Sequence, residues 1–262
     1  MVNKELSMYD LIIEAHVGLE RQGPGSQETI LKALSFINDL DKISRVADLG
    51  CGTGGQTMIL AQHIAGDITG VDICPDFINV FNDIATELSL GERVRGIVGS
   101  IDELSFQEEE FDLIWSEGVI DAIGFEKGIT YWNSFLKKNG YIAVTCPSWL
   151  TDKQPDEIEK FWGEAVGGLG TVADNIMTMQ KAGYEFVASF VLPENCWIDN
   201  YFIPRDAAEK ALLEKYAGNK TVDSFVEDDK YEVELYSKYK QYYGYVFYIG
   251  KKYKDERNQS TI

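Results

Sequence analysis

The chain has 262 residues, enough to bury a sizeable core in one or two domains. Its 24 basic against 43 acidic residues leave a net charge of −19, which repels polyanions and argues against nucleic acid or an anionic membrane surface as the main partner. No stretch reaches the ~18 uninterrupted apolar residues of a membrane span. The start MVNKELSMYDLIIEAH is not a secretory signal, and four scattered cysteines without a CxxC argue against a disulfide scaffold or a zinc site. With only two histidines, His16 and His63, no metal is expected; the expectation is a cytoplasmic protein, with monomer and homodimer both open.

In chain order, the first 20 residues read as a helix on Leu6, Tyr9, Ile12 and Ile13, broken by RQGPGSQ at 21–27. Ser26 or Thr29 is placed to cap a helix carrying Ile30, Leu31, Leu34 and Ile37. Short apolar runs then alternate with helical patterns: strands at 45–49, 67–72, 94–99, 111–116 and 140–146, helices at 56–65, 75–90 and 127–136. Such a rhythm predicts parallel strands covered by helices on both faces, and right-handed crossovers make the arrangement doubly wound. After Pro147 the rhythm changes. Residues 151–170 show no clear strand, 171–182 read as a helix, and 184–192 and 243–249 read as strands separated by a largely helical insertion at 206–240. The fold class expected is α/β: a doubly wound, Rossmann-like seven-stranded sheet, mostly parallel, with an antiparallel C-terminal hairpin strand.

The most informative segment is VADLGCGTGG at 46–55, a strand running into glycines and then a helix. Glycines permit a tight turn and close backbone approach, and the helix start offers unpaired N–H groups to a ligand. Gly50, Gly52 and Gly55 satisfy GxGxxG, and Asp72 ends the next strand, where a carboxylate would accept from ribose hydroxyls. Asp48, two positions before the first glycine, would repel a pyrophosphate and attract an ammonium; alternatively it only ties down the loop.

Together with GVDICPDFI (70–78), GSIDELSF (99–106), FDLIWSEGVI (111–120) and FLKKNGYIAVTCPSW (135–149), this segment resembles the class I S-adenosylmethionine-dependent methyltransferases, in particular the small-molecule branch with the ubiquinone and menaquinone methyltransferases. The resemblance implies S-adenosyl-L-methionine as cofactor, S-adenosyl-L-homocysteine as product, no metal, and a small-molecule methyl acceptor. It implies that Gly50, Gly52 and Gly54 pack on the methionine and ribose part, with Asp48 behind them and Gln56 and Thr57 as polar contacts. Asp72 would hold the ribose hydroxyls, Ile73 would pack on the adenine, and Ser100 and Ile101 would frame its other side. Many relatives have Asp where this chain has Ser100, and Asp102 is a substitute. Ser116 and Glu117 would line the channel near the methyl group.

The bland alternatives are that Ile73 and Ile101 are core and Glu117 is a solvated rim residue. No catalytic base stands out; His16 and Glu117 are candidates. The implied organisation is a single domain over 1–262, with an N-terminal helical lid at 1–28, a cofactor-binding core at 44–147, and acceptor-side insertions at 148–182 and 195–240 offering Tyr9, Trp149, Trp162, Trp197, Tyr201 and Phe202. A nicotinamide-dependent oxidoreductase would need a catalytic motif such as YxxxK after the fourth strand, which is missing. A non-catalytic S-adenosylmethionine-binding protein is the other alternative.

Overall fold

The computed structural model describes residues 6–253. Its strands are β1 (Arg45–Leu49), β2 (Asp67–Asp72), β3 (Val94–Val98), β4 (Phe111–Ser116), β5 (Leu136–Trp149), β6 (Tyr184–Val191) and β7 (Tyr243–Lys252). They form one sheet in the order β3-β2-β1-β4-β5-β7-β6. All neighbours are parallel except those of β7, which runs antiparallel to β5 and to β6. The seven-stranded, doubly wound sheet is the one expected.

Strand alternation divides the core into two layers. Val46, Ile68, Leu113, Tyr141, Ala143, Phe247 and Ile249 face one side. Ala47, Val71, Ile114, Ile142, Val144, Val246 and Tyr248 face the other. The first layer is covered by α2 (Gln27–Leu34), α3 (Gly55–His63) and α4 (Pro75–Glu87), through residues such as Ile30, Leu60 and Phe81. The second is covered by α5 (Phe125–Asn133), through Ile129 and Trp132. Ser26 is the N-cap of α2, and Thr29 closes a reciprocal capping box with it.

Residues 151–170 hold no strand, as expected, but carry a helix, α6 (Asp156–Val166), which buries Ile158 and Trp162. The fifth strand is longer than 140–146 at both ends: Leu136 pairs with Phe111 of β4, so the helix expected to reach 136 ends at Asn133, and β7 pairs with the strand from Tyr141 to Trp149. After α6, α7 (Val172–Lys181) leads into β6, and the last crossover carries α8 (Glu194–Trp197), a π-helical turn at Ile198–Phe202, α9 (Ile203–Lys215) and α10 (Lys220–Tyr239).

Over the carboxyl ends of the strands lies α1 (Met8–His16), whose Leu11 and Ala15 pack with Leu212 of α9 and with Val222, Phe225 and Val226 of α10. The buried face of α1 is therefore Leu11 and Ala15, while Tyr9 and Ile12 are exposed. Among the described residues no helix is long and apolar enough to cross a membrane.

The angle of α4 against the sheet depends on two small residues. Gly70 and Gly96 are register partners on β2 and β3, and Phe81 lies across both. A Cβ on Gly70 would fall 2.7 Å from the Phe81 ring and 2.8 Å from Cys51 Sγ. We expect Gly70→Ala to destabilise the fold by ~1–3 kcal/mol through overpacking, read as a lower urea midpoint; an unchanged midpoint would show that α4 can shift freely.

Candidate functional site

Leu49 ends β1, and the chain turns at once. The Gly50 and Cys51 N–H groups both donate to Val71 O, at 2.8 and 3.0 Å, which fastens the turn to the neighbouring strand. Gly50, Gly52 and Gly54 have φ of 73°, 54° and 91°, left-handed values that disfavour any other residue. Asp72, at the end of β2, holds the turn from the other side. Its Oδ2 accepts from Gly52 N at 2.9 Å and its Oδ1 from Cys74 N at 2.9 Å. Burial raises the Asp72 pKa, and these backbone N–H groups oppose the rise. Each oxygen keeps a lone pair for a further donor.

Between β1 and β4 the strand order reverses, and at such a point open α/β sheets bind ligands beyond the strand carboxyl ends. A cavity of about 540 Å³ opens there. Its floor is Gly50, Cys51, Gly52, Gln56 and Asp72, and one wall is Glu117, Gly118 and Val119 just past β4. The helix α1 contributes Met8, Ile12 and His16, spaced four apart on one face. The last crossover contributes Tyr201, Arg205, Phe225, Asp228, Asp229 and Glu232.

Hydrogen-bond direction in this upper part is set by Arg205, which can only donate. Its NH1 donates to Tyr201 Oη at 3.1 Å and to Glu232 Oε2 at 2.7 Å. The Tyr201 hydroxyl proton is then free for His16 Nε2, 3.4 Å away. His16 Nδ1 lies 2.8 Å from Ile12 O, an acceptor only, so Nδ1 carries the proton and Nε2 the lone pair. Burial lowers the His16 pKa, as does the Arg205 charge, while the Ile12 carbonyl and Asp229 act in the opposite sense.

A family described as "Methyltransferase domain" matches residues 40–189, more than half of the chain and all of the sheet from β1 to β5. The chain belongs to this methyltransferase-domain family. It is similar to the sarcosine/dimethylglycine N-methyltransferase of Aphanothece halophytica, with 26% identity over 165 residues, covering 62% of this chain and 59% of that protein. It is also similar to the chloroplastic tocopherol O-methyltransferase of Arabidopsis thaliana, with 33% identity over 75 residues, covering 29% of this chain and 22% of that one. The matches thus span less than two thirds of these relatives' length. Among solved structures, an S-adenosylmethionine-dependent methyltransferase from Thiobacillus denitrificans in complex with S-adenosyl-L-homocysteine shares the fold with a TM-score of 0.78, at 19% identity, over 95% of this chain and 99% of that one.

In this methyltransferase-domain protein the cavity gathers six of the sequence-derived candidates: His16, Gly50, Gly52, Gln56, Asp72 and Glu117. Glu117 is no rim residue: it is buried, accepting from Trp115 Nε1 at 2.8 Å and facing Arg21 NH1 at 3.3 Å. The other candidates lie elsewhere. Ser116 is fully buried and its hydroxyl donates to Leu49 O at 2.8 Å, bracing β4 against β1 instead of lining a channel. Gly54 faces Phe81 and Met58. Thr57 and Asp48 are fully buried, and the Thr57 hydroxyl donates to Asp48 Oδ2 at 2.5 Å, tying the first turn of α3 to β1.

Ile73 is exposed, Ser100 donates to Asp102 Oδ1 at 2.6 Å, and Ile101 is core; all three lie outside the cavity wall. Of the aromatics expected around an acceptor, only Tyr201 reaches the cavity. Trp149, Trp162, Trp197 and Phe202 pack with Tyr236 and Tyr243 in the first core layer, because the helices of the crossover need a core of their own. Tyr9 is half exposed, and no residue of 148–182 lines the cavity. Arg21, Gln22, Arg205, Asp229 and Glu232 went unread in the sequence, since no spacing links them to the glycine turn.

Burial pushes the Asp48 carboxyl up to about 7, with Thr57 opposing and the charge of Glu117 adding to the rise. The native protein therefore binds more protons than the unfolded chain between the ordinary carboxylate range and pH 7, so this group makes stability fall as pH rises through that window. Asp48→Asn removes the titration. Its stability relative to the wild type, measured by chemical denaturation from pH 4 to pH 8, is expected to improve with rising pH, by up to ~4 kcal/mol; parallel curves would show that Asp48 ionises without cost.

Proposed function

We propose that this chain transfers the methyl group of S-adenosyl-L-methionine to a small-molecule acceptor bound in the cavity. The observation that carries this reading is the placement of Asp72: a carboxylate with lone pairs to spare, at the end of β2, in the same cavity floor as Gly50 and Gly52. That arrangement suits a ribose diol beside a turn with close backbone access. The charges nearby disfavour a diphosphate, because Asp72 and Glu117 both face the same space. The family membership and the named activities of the relatives support the same chemistry.

The cofactor when bound would supply an activated methyl group on a sulfonium. The chain's own task is then alignment and exclusion of water. The glycine turn and Asp72 hold the nucleoside, and α1 with the last crossover closes over the acceptor side. Where the acceptor carries a proton, it can pass to the Tyr201 hydroxyl as that hydroxyl gives its own proton to His16 Nε2, since burial lowers the His16 pKa and the tautomer leaves that nitrogen unprotonated. A cytoplasmic location belongs to the same proposal, supported by the unpaired state of Cys51, Cys74, Cys146 and Cys196.

Calorimetry tests the reading directly. S-adenosyl-L-homocysteine is expected to bind the wild type, NAD is not, and Asp72→Ala is expected to weaken the nucleoside at least about tenfold through loss of charge-assisted hydrogen bonds. Binding of NAD alone would reject the proposal. Transfer of label from methyl-labelled cofactor into one member of a metabolite mixture then separates an enzyme from a protein that only binds.

A further inference from the structure

We propose that the buried pair Arg21–Glu117 is the receptor for the two charges at the methionine end of the cofactor, with Arg21 taking the carboxylate and Glu117 the ammonium. The inference rests on the cofactor assigned above and names the residues that read its zwitterionic end.

Arg21 follows α1 in the chain and is only 6% exposed. Its stem passes the start of α3, where a Cβ on Gly55 would lie 3.6 Å from Arg21 Cγ. Its guanidinium reaches Glu117 through one contact, NH1 to Oε2 at 3.3 Å. The NH2 group is buried and has no hydrogen-bond acceptor among the described residues.

A guanidinium presents its donors as a rigid fork suited to two carboxylate oxygens. Leaving one prong unmade in a buried place is costly, and a buried ion pair held by one long contact is a poor device for stability alone. A carboxylate is the partner whose geometry and charge suit the open prong.

The packing around the pair says from which side it is served. On one flank the backbone of Gly25 presses against both groups: a Cβ there would fall 2.6 Å from Arg21 NH1 and 2.8 Å from Glu117 Oε2. Both residues also border the cavity that contains Gly50, Gly52 and Asp72. A ligand holding a ribose at Asp72 and bearing an ammonium and a carboxylate at its far end matches the charges in that wall. Glu117, anchored by the Trp115 indole N–H, is held in place for the cation.

Three probes separate the parts by calorimetry. S-adenosyl-L-homocysteine has both charges, its decarboxylated form has the ammonium only, and methylthioadenosine has neither. Arg21→Gln is expected to weaken S-adenosyl-L-homocysteine by about tenfold to a hundredfold and to leave the other two unchanged, with Arg21→Lys recovering part of the loss. Glu117→Gln is expected to weaken the first two and spare methylthioadenosine. The double variant R21Q/E117Q leaves no unpaired buried charge, and its wild-type affinity for methylthioadenosine would show an intact site. Equal loss for all three probes in Arg21→Gln would make the pair purely structural, and unchanged binding of S-adenosyl-L-homocysteine would send the carboxylate elsewhere; either overturns the inference. A wild type that binds none of the three brings down the cofactor assignment itself, a result distinct from both.

Discussion

The carboxylate of Asp72 joins the fold to the site. It stops β2, accepts from Gly52 N on one side and from Cys74 N on the other, and so fixes the glycine turn after β1 relative to the start of α4. The turn needs such fixing: three of its residues have left-handed φ, where glycine is tolerated because it lacks a Cβ, and glycine brings the greatest loss of chain entropy on ordering. The two N–H groups given to Val71 O and the Asp72 carboxylate supply the compensation. A group that orders the turn and also faces the cavity makes the geometry of binding part of the geometry of folding.

Above this base the roof is assembled from distant parts of the chain. Gln22 reaches down to the turn, where its Oε1 accepts from Thr53 N at 2.9 Å and its Nε2, with two hydrogens to give, lies 3.0 Å from Thr53 Oγ1, 3.0 Å from Leu19 O and 3.2 Å from His16 O. The segment after α1 is thereby pinned to the floor. On the other side Arg205, fully engaged with Tyr201, Glu209 and Glu232, holds the π-helical turn, α9 and α10 together. Charges this deep stabilise little on balance, because desolvation offsets most of the attraction. Glu209 shows the tension: burial and the neighbouring Asp229 push its carboxyl up to about 8.

The two buried arginines divide the labour of the cavity. Arg205 is engaged by carboxylates and holds the crossover side of the cavity together, orienting Tyr201 and through it His16. Arg21 is unsaturated and lies at the other end, near the glycine turn. A guanidinium with unmade hydrogen bonds in buried surroundings is a place where an added anion gains more than it would at the surface, because the local dielectric is lower.

Much of the sheet was legible from the amino-acid sequence, and the reason is local. Buried parallel strands need short apolar runs, glycines mark the turn, and Asp72 follows a strand at the spacing that a ribose site demands. The helix at 156–166 was not, since its apolar residues are few and set among acids and glycines. A place in the cavity wall was most directly legible where the backbone dictates it, as at Gly50, Gly52 and Asp72. Asp48 and Ser116 look like ligand contacts in one dimension but point into the protein, where Thr57 and the Leu49 carbonyl receive them. The aromatics of the last crossover could equally have clamped a ligand or formed a core, and only the packing of α10 on the sheet decided for the core. The amino-acid sequence by itself determined the sheet, the glycine turn and the carboxylate beside it, because each rests on near-neighbour propensities. The tertiary structure alone decided that Arg21, Glu117, His16 and Arg205 share one cavity, because hydrogen bonds between residues some hundred or more positions apart leave no periodicity to read.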